Sequence, residues 1–186
     1  MKIGIVIGSV RDKRVGEKVG AWVHEQASSR SGAQYELIDL KKFGVPLLTS
    51  GTHPMAAKRT YESENTTAWS RAIDACDGFV FVTPEYNHGV PGAFKNAVDV
   101  LGPEWMDKTV GFVGYGSVGG VRAVESWRTI VVNFRMHCVR AEVNLLSFFD
   151  LVDGGLTLLE RRPAELTALL DQLEALTALV RPAQPA

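Results

Sequence analysis

Residues 78–96 read GFVFVTPEYNHGVPGAFKN, an apolar run that stops at a loop of Pro, Gly and polar residues and restarts at Pro91. The run 78–83 shows no alternation, so it reads as a strand buried on both faces, the position of an inner strand in a parallel sheet. Pro91 suits a first helical turn, which predicts a helix over about 91–101. Strand, loop and helix in that order form half of a βαβ unit, and the theme recurs on either side. Upstream, KIGIVIG at 2–8 reads as a second buried strand, followed by a helix over about 15–30 with Val15, Val19, Trp22, Val23 and Gln26 at helical spacing. YELID at 35–39 reads as a strand, and 64–76 as a helix with Trp69 and Ile73 one turn apart on one face. Downstream, 109–115 and 138–143 read as strands, 119–135 as a helix, and 163–180 as a Leu-rich helix opened by Pro163.

Five strands alternating with helices in 186 residues predict an α/β fold, one domain over 1–182 with a frayed tail at 183–186. Parallel neighbours need crossover connections, so helices should cover both faces of the sheet. The simplest candidate is a flavodoxin-like five-stranded parallel sheet in the order 2-1-3-4-5. Ligands of such sheets bind outside the carboxyl ends of the strands, where the strand order reverses. Function is therefore expected in three loops: the first at 8–16, the second at 83–91 and the third at 114–120.

Composition narrows the ligand. With 46% hydrophobic and 22% charged residues, 18 glycines and 8 prolines, the chain is neither disordered nor fibrous. Twenty basic against 21 acidic residues leave a net charge of -1, without the footprint of a general nucleic-acid or anionic-membrane binder. No stretch is long and apolar enough to cross a bilayer, and the opening MKIGIVIGS lacks the length of a signal-peptide core. Cys76 and Cys138 show neither metal spacing nor a disulfide framework, which favours the reducing cytoplasm and packing over reactivity. A small anionic ligand fits all of this; no nucleic acid, membrane or metal is expected.

The first loop, GSVRDKRVG, places Arg11, Lys13 and Arg14 where a helix begins, against the sign of the helix dipole. An anion there reverses that conflict, since a phosphate would take hydrogen bonds from first-turn N–H groups, the Ser9 hydroxyl and the Arg11 guanidinium; an ordinary basic surface loop is the other reading, which the preceding strand disfavours. No GxxxxGK[ST] run exists, which sets an ATP-hydrolysing loop aside. In the second loop, Tyr86, Asn87 and His88 offer a ring face and polar side chains to a planar heteroaromatic ligand, and Gly89 permits close approach. A structural turn in which Asn87 bonds its own backbone accounts for the same residues equally well. The third loop, GYGSVG from Gly114 to Gly119, fits GxGxxG with Glu142 further on, but a dinucleotide fingerprint belongs to the first strand, not the fourth. Its glycines, Gly116 among them, suit close approach of backbone and Ser117 to a second edge of a flat ligand, or merely a helix start.

Taken together, GSVRDKRVG, DGFVFVTPEYNHGVPGAFKNAVD and EWMDKTVGFVGYGSVGGVRA resemble the NADPH-dependent FMN reductase family of flavodoxin-like flavin, quinone, azo-dye and chromate reductases. The resemblance spans nearly all of 1–143, and PEYN followed by PGAFKN is its most specific part. It implies that Ser9, Arg11 and the backbone of Arg14, Val15 and Gly16 hold the FMN phosphate. Gly16 stands where many members carry Ser or Asn, which leaves its backbone as the donor. Pro84, Glu85, Tyr86 and Asn87 would line the isoalloxazine, with His88, Gly116 and Ser117 nearby. The activity implied is hydride transfer from NAD(P)H through bound FMN to a quinone, flavin, azo or similar acceptor, with the chemistry carried by the flavin and no catalytic side chain named. The rivals are a flavodoxin-type electron carrier and a flavin-based redox switch. A flat cofactor at a sheet edge is left half open by one small domain, which predicts a homodimer or homotetramer.

Outside the three loops the expectations are plainer. Lys95 and Asp99, one turn apart, read as an exposed pair, or by resemblance as a subunit contact. His24 and His137 read as surface or packing residues. Phe148 and Phe149, with segments 44–62 and 144–162, stay open between packing and pocket wall.

Overall fold

The computed structural model describes residues 1–181; the tail expected to fray at 183–186 lies outside them. Strands β1 (Lys2–Ile7), β2 (Gln34–Asp39), β3 (Gly78–Pro84), β4 (Thr109–Gly116) and β5 (His137–Leu146) form one sheet. Its order is β2-β1-β3-β4-β5 and every pairing is parallel, as the sequence predicts. The helices are α1 (Gly16–Ser28), α2 (Leu40–Phe43), α3 (Glu64–Asp74), α4 (Gly92–Asp99), α5 (Val121–Val131) and α6 (Arg162–Val180).

Alternation along the buried strands sorts side chains into two cores. Ile3, Ile5, Val80, Val82, Val113 and Val143 pack with Val19 and Val23 of α1 and Leu166, Leu169 and Leu173 of α6. On the other face Val6, Phe79, Phe81, Val110 and Phe112 pack with Trp69 and Ile73 of α3, Phe94 of α4 and Trp127 of α5. This second core is aromatic: the Phe81 ring lies 5.8 Å from Trp105, 5.5 Å from Trp127 and 6.1 Å from Phe112. Each of its three indoles also finds an acceptor. Trp69 Nε1 donates to Ala97 O at 2.7 Å, Trp105 Nε1 to Val98 O at 3.1 Å, and Trp127 Nε1 to Thr83 Oγ1 at 3.1 Å. The last bond fixes α5 directly beneath the start of the second loop.

Several element bounds depart from expectation. β5 runs to Leu146 and not to 143, because Asn144, Leu145 and Leu146 stay in register with Gly114, Tyr115 and Gly116 despite the polar Asn144. α5 is shorter than 119–135: Gly119 and Gly120 sit at φ 77° and 72°, outside the helix, and Val132–Phe134 forms a 3₁₀ turn ended by Arg135 at φ 53°. In α1, Gln26 is exposed and Ala27 is buried in its place, since Val19, Val23 and Ala27 make one i, i+4 row. The short α2 was not foreseen; Asp39 Oδ1 caps it by accepting from Lys41 N at 3.2 Å.

Segment 44–62 both packs and lines. Tyr61 Oη donates to buried Glu104 Oε1 at 2.6 Å, while Leu47, Leu48 and Ser50 line a surface groove with Ser63, Thr66 and Val100. Segment 144–162 is pinned by Arg162, whose Nε and second terminal nitrogen donate to Asp150 at 3.0 and 2.7 Å. Phe148 and Phe149 stay out of both cores, 75% and 59% exposed.

Candidate functional site

Hydrogen bonds tie the three loops together at the carboxyl ends of β1, β3 and β4. Gly8 N donates to Val82 O at 3.0 Å and carries the sheet one residue past β1. The Ser9 hydroxyl, 1% exposed, lies 2.9 Å from the Tyr86 hydroxyl, joining the first loop to the second. Glu85 N donates to Tyr115 O at 3.1 Å, and Ser147 N to Gly116 O at 2.9 Å, which seats the third loop between β3 and the end of β5. The order of strands reverses between β1 and β3, so this cluster stands at the switch point where a ligand is expected.

Within the first loop the backbone is unspent. From Ser9 to Glu17 no backbone N–H donates to an acceptor among the described residues; Lys18 and Val19 are the first to do so, both to Val15 O. Val15 is the N-cap of α1, and among the described residues no side chain caps that end. Facing it is the Tyr115 hydroxyl, a buried polar atom without a hydrogen-bond partner among the described residues, on a residue only 6% exposed. A Cβ built at Gly16 would overlap that hydroxyl, so Tyr115 fills the volume a side chain at position 16 would need. Burial first, and then Tyr86, push the phenol pKa up against the opposing effects of Ser9, Arg14 and Arg11, so Tyr115 is a neutral donor. Arg11 is exposed and makes no ion pair or hydrogen bond among the described residues. A run of N–H groups, two hydroxyls and a cation at a helix N-terminus suit a phosphate monoester.

Arg14 corrects one expectation. Its side chain is 6% exposed, and one terminal nitrogen donates to Asp39 Oδ2 at 2.6 Å, so this cation does have a local structural partner. Its Nε is buried without a hydrogen-bond partner among the described residues.

The second loop is a hairpin turn. Tyr86 and Gly89 exchange backbone hydrogen bonds at 3.1 Å in both directions, with Asn87 at φ 47° and His88 at φ 73°. Two central residues with positive φ make a type I′ turn, and Asn and His tolerate that region better than most. The expected turn is therefore present, but Asn87 does not bond its own backbone. Both Asn87 and His88 are exposed with side chains unpartnered among the described residues. Pro84 is buried at the end of β3. Glu85 spends its carboxylate on α5, accepting from Arg122 N at 3.1 Å and from the Arg122 guanidinium at 2.7 Å. In the third loop Ser117 is exposed, and Gly120 is the N-cap of α5.

Reading the sequence singled out Ser9, Arg11 and the Tyr86 loop but passed over Tyr115 and Asp39. The available signal for Tyr115 was its place in GYGSVG at the very end of a buried strand. Asp39 likewise closes β2. The thiols pack: burial pushes Cys76 up to about 11 and raises Cys138. Lys95 and Asp99 do pair, at 2.6 Å, and His24 lies 3.5 Å from the Ser28 hydroxyl on the surface of α1. Among the described residues no group of three His, Cys, Asp or Glu could hold a metal ion, and no helix is long and apolar enough to cross a membrane.

Comparison with known proteins bears on the family and the fold. The family model for NADPH-dependent FMN reductase matches residues 1–150. An NAD(P)H-dependent FMN reductase of Nectria sp is 40% identical over 126 residues, 66% of this chain and 63% of that protein's length. One from Saccharomyces cerevisiae is 33% identical over 148 residues, covering 75% of this chain and 78% of the relative. Among solved structures, the flavoenzyme NAD(P)H:(acceptor) oxidoreductase of Paracoccus denitrificans superposes with a TM-score of 0.72. That match covers 96% of this chain and 98% of the other at 18% identity, a likeness of fold.

Proposed function

Because the chain belongs to the NADPH-dependent FMN reductase family, we propose that it binds FMN across the three loops and acts as an NAD(P)H-dependent oxidoreductase toward quinone, flavin, azo or similar acceptors. The observation that carries this is the unspent N–H run from Ser9 to Glu17, faced by the orphaned Tyr115 hydroxyl at the switch point. FMN, when bound, supplies the relay between a two-electron nicotinamide donor and the acceptor.

The chain's part is to bind and orient. Ser9, Arg11, the Tyr115 hydroxyl and the N–H groups of Arg14, Val15 and Gly16 hold the phosphate. Pro84, the Glu85 backbone, Tyr86, Asn87, His88, Gly116 and Ser117 border the ring. The Ser9–Tyr86 contact joins these two sets, and the Glu85–Arg122 contact holds the second loop against α5. No acid or base is assigned, since the chain's donors need only orient the ring and offset charge at its edge. One domain over 1–182 carries the site. A homodimer or homotetramer completes its cover, which the exposed Phe148, Phe149 and Val118 near the third loop support. The reducing cytoplasm suits the two free thiols.

The test is anaerobic rapid mixing of the FMN-loaded protein with NADH or NADPH. Bleaching of the flavin absorption band on a turnover timescale, and its return when a quinone is added, are expected. If neither nicotinamide bleaches the band, the enzyme assignment fails and an electron carrier or redox switch replaces it.

A further inference from the structure

A loop that keeps its backbone donors unpaired cannot be held in shape by backbone hydrogen bonds, so its conformation must come from side chains. Across Ser9–Glu17 those contacts are few. The Asp12–Lys41 pair is solvent-exposed, and Glu17 lies 4.0 Å from the Arg14 guanidinium. The Ser9–Tyr86 contact fixes the start of the loop. At the other end, where the chain passes through Lys13 at φ 51° and turns into α1, stands the Arg14–Asp39 pair, both side chains more than nine-tenths buried. Asp39 is opposite Ile7 in the β1–β2 register, level with the point where β1 ends and the loop begins. Its other oxygen accepts from Lys41 N, which fixes the carboxylate against α2.

From this we infer that Asp39, which lies outside all three loops, is a positioning residue for the anion cradle. It grips the Arg14 guanidinium across the strand ends and so holds the Ser9–Glu17 N–H run, Gly16 and the Tyr115 hydroxyl in one arrangement. It also balances a buried cation whose Nε has no partner among the described residues. The inference rests on the phosphate assignment of the preceding section and adds to it a residue that touches no ligand.

Fluorescence titration of FMN and of riboflavin against the wild type, Asp39→Asn, Arg14→Met and the double variant tests it. Asp39→Asn keeps an oxygen for the Lys41 N–H but turns its amide NH2 toward the guanidinium, so it removes the ion pair together with its hydrogen bond. Each single variant should weaken FMN at least tenfold and leave riboflavin within twofold, and the double variant should bind FMN no more weakly than the worse single. Arg11→Ala, a direct phosphate contact, should show the same preference for spoiling FMN but multiply with Asp39→Asn. Retained riboflavin affinity shows that a variant is folded; if Asp39→Asn does not fold, Arg14→Met, which leaves the α2 cap intact, gives the same comparison. Unchanged FMN affinity, equal loss of both flavins, or multiplicative effects of Asp39→Asn and Arg14→Met would overturn the positioning role while the cofactor assignment stands. A wild type that binds FMN no better than riboflavin would overturn both.

Discussion

Gly16 and Tyr115 compete for one small volume beside the first turn of α1. An alanine at 16 would press its methyl group into the phenol oxygen and its ring carbon, the latter 3.1 Å from the built Cβ. Overpacking of this kind costs about 1–3 kcal/mol. Gly16→Ala should therefore lower stability by that order, and adding Tyr115→Phe should recover more than half of the loss, read from urea denaturation of the single and double variants. Tyr115→Phe alone removes a buried hydroxyl that has no partner among the described residues, so it should be near neutral for stability of the free protein. The same change should weaken FMN roughly tenfold, the worth of one donor to an anion. Stability and affinity moving apart in one variant would mark the hydroxyl as a ligand donor and not a packing group.

At the scale of elements, α5 begins on a glycine and takes its cap from another loop: Glu85 accepts from the N–H of Arg122 and pairs with its guanidinium. The Arg122 side chain is 42% exposed, so the ion pair itself adds little and the cap carries most of the effect. Glu85→Ala should cost about 1–2 kcal/mol by thermal denaturation, and Glu85→Gln, which keeps an acceptor, about half as much. This contact also shows where reading the sequence stops. The strands were legible because GFVFVT and KIGIVI are apolar without alternation, and the three loops followed from strand order alone. The proposed phosphate loop was legible in Ser9 and Arg11, whose chemistry sits next to the strand that places them. What Glu85, Arg14 and Tyr115 do was not, because each acts on a partner far along the chain: Arg122, Asp39 and Gly16. The end of β5 was missed for a related reason, since Asn144 is polar and only its pairing with Gly114 keeps it in the strand.

Over the whole molecule, α6 covers β4 and β5 and is held to the sheet edge by the strap from Ser147 to Arg161. Asp150, 0% exposed, is the anchor: it accepts from Leu146 N at 2.8 Å, Leu159 N at 3.0 Å and twice from Arg162. Burial pushes its carboxyl up, but Arg162 and the two N–H groups outweigh that and hold it below the usual aspartate value. A folded-state pKa below the unfolded one gives stability that is present above the ordinary carboxylate range and lost as pH falls through the folded value. Glu174, bonded to Arg30 and Tyr35, is lowered in the same sense. Arg162→Met strands a buried carboxylate and should cost about 3–5 kcal/mol at neutral pH. Its deficit against the wild type should shrink steadily on acidification, measured as the urea midpoint between neutral pH and the onset of acid unfolding. A deficit independent of pH would show that Arg162 serves the strap by packing alone.

The aromatic core described above also gives the molecule an optical asymmetry. Trp69, Trp105 and Trp127 are all 0% exposed on the α3–α4–α5 side, and only Trp22, at 8%, belongs to the α1–α6 side. Intrinsic emission is thus dominated by dry indoles of one layer, and its red shift on denaturation follows the wetting of that layer. Loosening of the strap or fraying of α6 would leave the colour of the emission almost unchanged, so a spectroscopist watching tryptophan alone would see half of the protein.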